Sequence, residues 1–200
     1  MYDYRNPKSE NYWQTTNQEI ILINNDVTNN YFNKCAVEYR SGTAIAAVFP
    51  QNMDILHNEI SNLPYTGIHL GWGWDGATTS IQKSTNIQYN YIREVMTELR
   101  DGGAIYTNGP TGGDAANMAT IANNYLWNTR HTQGAIYPDM GSGWWNINNN
   151  VVDVALRWIN IWSGTIHKIN ASSNYTTEIS MLNKGTDCLV SDTILVSAGR

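Results

Sequence analysis

A chain of 200 residues is long enough for one domain with a sizeable core. Its formal charge of −5, with Lys and Arg scattered along the chain, offers no basic patch for nucleic acid or an anionic membrane. No apolar run reaches membrane-spanning length, and the opening Met-Tyr-Asp-Tyr-Arg-Asn-Pro lacks the apolar segment of a signal peptide.

Residues 1–16 read as an irregular segment, and patterned sequence begins at about residue 17. The dominant signal is a repeat: an aliphatic residue, two residues, Asn, one residue, an aliphatic residue. It occurs at Leu22–Val27 around Asn25, Ile55–Ile60 around Asn58 and Ile87–Ile92 around Asn90. It returns at Ile121–Leu126 around Asn124 and Ile147–Val152 around Asn150, at intervals of 26 to 34 residues. Short β-branched strands at such a period suit a solenoid of parallel strands, with equivalent side chains stacked along its axis. The asparagines would form an internal ladder at a corner, each amide bonded to the next turn.

A second repeat interleaves with the first. Thr66-Gly-Ile68-His69, Gly103-Ala-Ile105-Tyr106, Gly134-Ala-Ile136-Tyr137 and Gly164-Thr-Ile166-His167 align. With the isoleucines inward, strand alternation turns His69, Tyr106, Tyr137 and His167 outward as one row. Variable spacing between repeats implies loops inserted at a corner. One of them, Tyr91 to Gly103, reads as helical because Ile92, Val95, Met96 and Leu99 follow i, i+3, i+4, i+7 spacing. Val151 to Trp162 is ambiguous between helix and strand.

Cys35 and Cys188 share no motif spacing, so neither a disulfide framework nor a metal site is implied, and one disulfide between them stays open. Asn170-Ala-Ser172 and Asn174-Tyr-Thr176 fit the glycosylation acceptor pattern. The expectation is an all-β single domain over 1–200, a right-handed parallel β-helix of about five coils. Its coils would run over 17–168, with a closing coil and tail over 169–200.

The segments Asn58–Gly76, Asn90–Pro110 and Gly134–Val152 resemble the right-handed parallel β-helix proteins of the pectate-lyase-like superfamily. More narrowly, they look like bacterial carbohydrate-active proteins of the glycoside hydrolase type, over roughly residues 17 to 195. The resemblance implies a carbohydrate partner; with no signal peptide, the expectation is either a cytoplasmic protein or a piece of a longer secreted chain that acts outside the cell or at its surface. The resemblance also implies further N-terminal coils, in a longer chain or in a partner, covering the first coil, since an open sheet edge is a template for pairing. No cofactor and no metal is expected.

Glycoside hydrolysis needs two carboxyl groups across one bond. Asp75, Glu98, Asp101, Asp114 and Asp139 are near the outward row. The resemblance favours Asp101 and Asp139, since such enzymes carry acidic residues in segments matching Asp101-Gly-Gly and Ile136-Tyr-Pro-Asp139. Asp101 with Glu98, or Asp139 with Asp75, are the alternative pairs. On a straight strand Asp101 and Asp139 would be offset by seven positions, roughly 23 Å, so only chain curvature joins them. His69, Trp72, Trp74, Asp75, Tyr106 and Tyr137 would form the sugar subsites, with aromatic faces for rings and polar tips for hydroxyls. Trp144 and Trp145 lean toward packing. Relatives often carry a second acidic residue after the one matching Asp139, where this chain has Met140. That departure keeps a catalytically inactive carbohydrate-binding or structural role as the alternative. A lyase fits less well, because Arg100, Arg130 and Lys168 are isolated.

Overall fold

The structure, a computed structural model, describes residues 21–72, 74, 82–111, 113–129, 133–178 and 180–197. It is a parallel β-helix with no α-helix among those residues: three long sheets of short strands built up coil by coil, every pairing parallel, and a two-stranded sheet of Leu22–Ile23 with Pro50–Gln51. The first sheet has seven strands, from Asp26–Thr28 and Asp54–Leu56 through to Leu189–Ser191. The second also has seven, from Tyr31–Asn33 to Ile194–Leu195. The third has six: Ile45–Ala47, Ile68–Leu70, Ile105–Thr107, Ile136–Pro138, Ile159–Ile161 and Met181–Asn183.

The core is built from stacks of like residues. In the first sheet Val27, Ile55, Ile87, Ile121, Ile147, Ala171 and Val190 follow one another in register. In the third, Ile45, Ile68, Ile105, Ile136 and Ile159 do the same, and the exposed Met181 follows them in register. Each fully buried isoleucine contributes about 1.5–3 kcal/mol, which makes this apolar column the main stabilising term.

The asparagine ladder runs from Asn30 through Asn58, Asn90, Asn124 and Asn150 to Asn174. Each Oδ1 accepts both the backbone N–H and the Nδ2 of the preceding rung, as Asn90 Oδ1 does from Asn58, both at 3.0 Å. From Asn58 onward each Nδ2 also reaches a carbonyl of the coil before, as Asn90 does to Ile55 O at 2.9 Å, while Asn30 bonds Thr28 O of its own coil. A buried polar row is tolerated because every member is satisfied. The residue before each rung takes a left-handed backbone: Asn29, His57, Tyr89, Asn123, Asn149 and Ser173 all have φ between 54° and 59°.

Several expectations change. The first rung is Asn30 and not Asn25, whose amide bonds locally to Ile23 O at 2.8 Å; Phe32, in place of an aliphatic residue, hid the repeat there. A sixth rung, Asn174, was masked by Ala171 and Thr176 in the flanking positions, and its burial removes it as a glycosylation acceptor. The stretch 91–103 holds no helix. Tyr91–Arg93 is a strand, and positive φ at Glu94 and Met96 turns Val95 and Met96 both into the core. Consecutive apolar residues at this corner therefore imitate helical spacing. Val151–Ala155 and Ile159–Ile161 are likewise strands. Residues 181–195 add one more strand to each of the three long sheets. Both cysteines are free.

The fourth member of the second repeat also moves. Ile159, not Ile166, pairs with Ile136. Ile166 and His167 lead into the first sheet, where His167 pairs with Gly143 and its ring packs where a Cβ of that glycine would stand. His167 therefore leaves the outward row.

Candidate active site

The outward face of the third sheet carries Ala46, His69, Tyr106 and Tyr137 in register on successive coils. Their rings meet edge to face, His69 on Tyr106 with centroids 4.8 Å apart and Tyr106 on Tyr137 at 5.4 Å. Above them opens a cleft of about 490 Å³. It is lined by His69, Tyr106 and Tyr137 of that row together with Trp72, Trp74, Tyr65, Asp101, Asn108, Asp139, Met140 and Trp162.

Asp139 forms its buried end, at 6 % exposure. Its Oδ2 accepts the Tyr106 hydroxyl at 2.7 Å, and its Oδ1 accepts the Tyr137 hydroxyl at 3.2 Å and the Trp162 indole N–H at 2.8 Å. Three donors from three coils fix the carboxylate in one orientation. Burial, then the charge and acceptor bond of Asp139, pushes the Tyr106 phenol far above its ordinary value. Burial and the Asp139 charge do the same to Tyr137. Both hydroxyls thus stay protonated as donors. The Asp139 backbone is fixed too: its N–H donates to Thr107 O at 2.8 Å, and its carbonyl accepts Ser142 N–H at 2.9 Å.

Asp101 stands across the cleft on the turn entering the strand Ile105–Thr107. Tyr65 Oη donates to its backbone carbonyl. Burial, and then the charge of Asp139, raises the Asp101 carboxyl above the ordinary aspartate value. The straight-strand offset does not apply because the strand is only three residues long. Asp101 precedes the strand Ile105–Thr107, Asp139 directly follows Ile136–Pro138 on the next coil, and both residues line the same cleft. Gly102 and Gly103 permit the first turn: a Cβ on Gly103 would lie 2.6 Å from Gly134 O.

Trp72 and Trp74 pack edge to face at 4.6 Å and remain 43 % and 44 % exposed at the cleft edge. Asn108 ties that edge to the floor, accepting Trp74 N–H on Oδ1 at 3.0 Å and donating to Tyr106 Oη at 3.1 Å. His69 is mostly buried and its Nε2 has no hydrogen-bond partner. Burial pushes its pKa down to about 4, so the ring is neutral at ordinary pH.

The remaining candidates stand elsewhere. Glu98 is paired with Arg40 at the surface. Asp114 caps its own turn, accepting Ala116 N–H at 2.9 Å. Asp75, expected in the subsites and as an alternative partner of Asp139, lies outside the described residues. Trp145 is core, donating to Thr111 Oγ1 at 2.9 Å, and Trp144 faces His167 on the first sheet. Among the described residues no three of His, Cys, Asp and Glu gather in a metal-binding group.

Tyr65, Asn108 and Trp162 were not singled out from the sequence. Trp162 was within reach. With Ile159 aligned to Ile136, counting three residues on from each places Trp162 beside Asp139 on the next coil.

No protein-family model and no curated protein matches this chain. A solved structure named "Glycoside hydrolase" is similar, with a TM-score of 0.60 at 20 % sequence identity. The match covers 86 % of this chain but 27 % of the other, so this chain spans about a quarter of that protein's length. At that identity the likeness establishes a shared coil architecture: the chain is a parallel β-helix of the kind found in that glycoside hydrolase.

Proposed function

We propose that the chain is a carbohydrate-active protein that hydrolyses glycosidic bonds, with Asp101 and Asp139 as the catalytic pair. The observation that carries this reading is the contrast between two carboxyls in one aromatic-walled cleft. Asp139 is held by three donors as an oriented acceptor. Asp101 is raised toward its protonated form by burial and by Asp139. A carboxyl raised toward its protonated form, beside a second carboxyl fixed as an acceptor, supplies the acid and base roles this chemistry needs. Asp101 would protonate the glycosidic oxygen as the bond to the anomeric carbon breaks. Asp139 would take a proton from the attacking water, or attack the anomeric carbon itself.

The walls support a sugar as substrate. Trp72 and Trp74 offer ring faces, while Asn108 and Asp101 in the lining offer polar contacts for hydroxyls. Among the described residues neither Lys nor Arg lines the cleft, and His69 is neutral. A uronate would meet only negative charge there, so the substrate class is a neutral glycan.

Met140, in the cleft wall next to Asp139, is the observation that favours a second reading: a module that binds glycan without cleaving it. A panel of neutral and uronate polysaccharides, assayed for new reducing ends and for retention of the protein, separates the two. Cleavage of a neutral glycan upholds the hydrolase. Retention without cleavage upholds the binding module. Cleavage of uronates alone contradicts the substrate class.

A further inference from the structure

A second concavity, about 330 Å³, lies on the outer face of the second sheet, away from the glycan cleft. It is lined by Tyr125, Val151, Asp153, Thr177, Val196 and Ser197. Asp153 is only 2 % exposed. Its Oδ2 accepts the Tyr125 hydroxyl at 3.1 Å, while Oδ1 has no hydrogen-bond partner. None of the ion pairs among the described residues involves it. A carboxylate taken out of water without a counter-charge is costly, and packing alone gives no reason to keep it.

Tyr125 supplies the second element. One face of its ring stacks on Tyr91, with centroids 5.2 Å apart and planes 8° from parallel. On the next coil the same register position is Val151, too short to continue the stack. The other ring face is thereby left to the concavity. An open aromatic face beside an unpaired carboxylate oxygen is a combination that selects positive charge. Val151 and Val196 line the rest, which suits an apolar or C–H-rich stem behind the charged head.

We propose that this concavity binds a primary ammonium group, with the Asp153 carboxyl in its lining as the acceptor and Tyr125 presenting its ring face. A neutral hydroxyl would leave the carboxylate uncompensated, and an anionic ligand is repelled. Two sources carry this chemistry, an amino sugar and an alkylamine such as a lysine side chain. The site shares no residue with the glycan cleft, so it stands or falls independently of the hydrolase reading.

The test is calorimetric titration of the full chain at pH 7 with glucosamine, n-butylamine and glucose, repeated on Asp153→Asn, Asp139→Asn and Tyr125→Leu. At least one amine should bind at about millimolar Kd, as expected of a fragment-sized ligand. Asp153→Asn should weaken it at least tenfold, and Asp139→Asn should leave it unchanged. Tyr125→Leu, which keeps the carboxylate, should weaken it severalfold and serves as the test if Asp153→Asn fails to fold. Tighter glucosamine assigns the site to amino sugars, and tighter n-butylamine assigns it to alkylamines. Absence of amine binding, glucose binding as tightly as glucosamine, or loss of amine binding in Asp139→Asn but not in Asp153→Asn would overturn the proposal.

Discussion

Trp162 donates its indole N–H to Asp139 across neighbouring coils at 2.8 Å. Together with Tyr106 and Tyr137 it makes the orientation of one carboxylate a property of three successive turns of the helix. A charge-assisted bond of this kind contributes about 1.5–3 kcal/mol. Trp162→Phe keeps an aromatic ring, though a smaller one, and removes the donor, so kcat should fall by about 10- to 100-fold with little change in KM. Steady-state kinetics on the cleaved glycan checks this, and an unchanged kcat would remove Trp162 from the site.

The ladder predicts a contrast between two asparagines. Asn90→Ala leaves the Asn58 N–H and Nδ2 without their acceptor and opens the buried row. At about 1–3 kcal/mol for each orphaned group, the loss should reach about 3 kcal/mol. Asn25→Ala breaks one local bond at the edge of the repeat and should cost under about 1 kcal/mol. Denaturant unfolding of the two variants provides the comparison. Equal losses would mean that the ladder is not what holds this corner.

His69 gives the fold a pH dependence with a definite sign. Its folded pKa of about 4 lies below the ordinary 6.5, so between those values the unfolded chain binds the extra proton. Its contribution is constant above pH 6.5 and falls as pH drops toward 4, by up to ~3 kcal/mol. His69→Gln should flatten the stability curve in that window, measured by chemical unfolding from pH 7 to pH 4. A curve identical to wild type would mean that the imidazole is not desolvated.

Gly71 sets the cleft edge. It has φ +91°, and a Cβ there would lie 2.0 Å from Thr111 Cγ2 and 2.2 Å from Asn108 O. Gly71→Ala must displace Asn108, and with it the bond that holds Trp74. A strained backbone of this kind costs about 1–3 kcal/mol. Glycan affinity should drop while the rest of the helix stays folded, as read by binding alongside thermal melting.

Much of this architecture was legible because a solenoid writes its register into its sequence. Four of the six ladder rungs and the stack Ile68, Ile105, Ile136 follow from matching residues at one period. The reading failed where a coil broke the pattern chemically. Phe32 and Thr176 stand where aliphatic residues were expected, which hid Asn30 and Asn174. Ile166 matched the motif better than Ile159, yet belongs to the next sheet, and that choice cost Trp162. Val95 and Met96 imitated a helix because a left-handed turn can bury two successive side chains. Asp101 and Asp139 looked too far apart because each lies outside a three-residue strand, on chain whose path linear spacing does not encode, and both line one cleft.

The central claim is that Asp139 acts on the bond and does more than support the cleft. Asp139→Asn keeps the shape of the side chain, and one amide oxygen remains to accept from Tyr106, Tyr137 or Trp162. The direct measurement is reducing-end release from a cleaved neutral glycan by wild type and Asp139→Asn, with glycan retention measured on the same samples. Release should fall by at least about 10³-fold while retention stays within a few fold. Release at the wild-type rate by a folded Asp139→Asn protein would contradict the account.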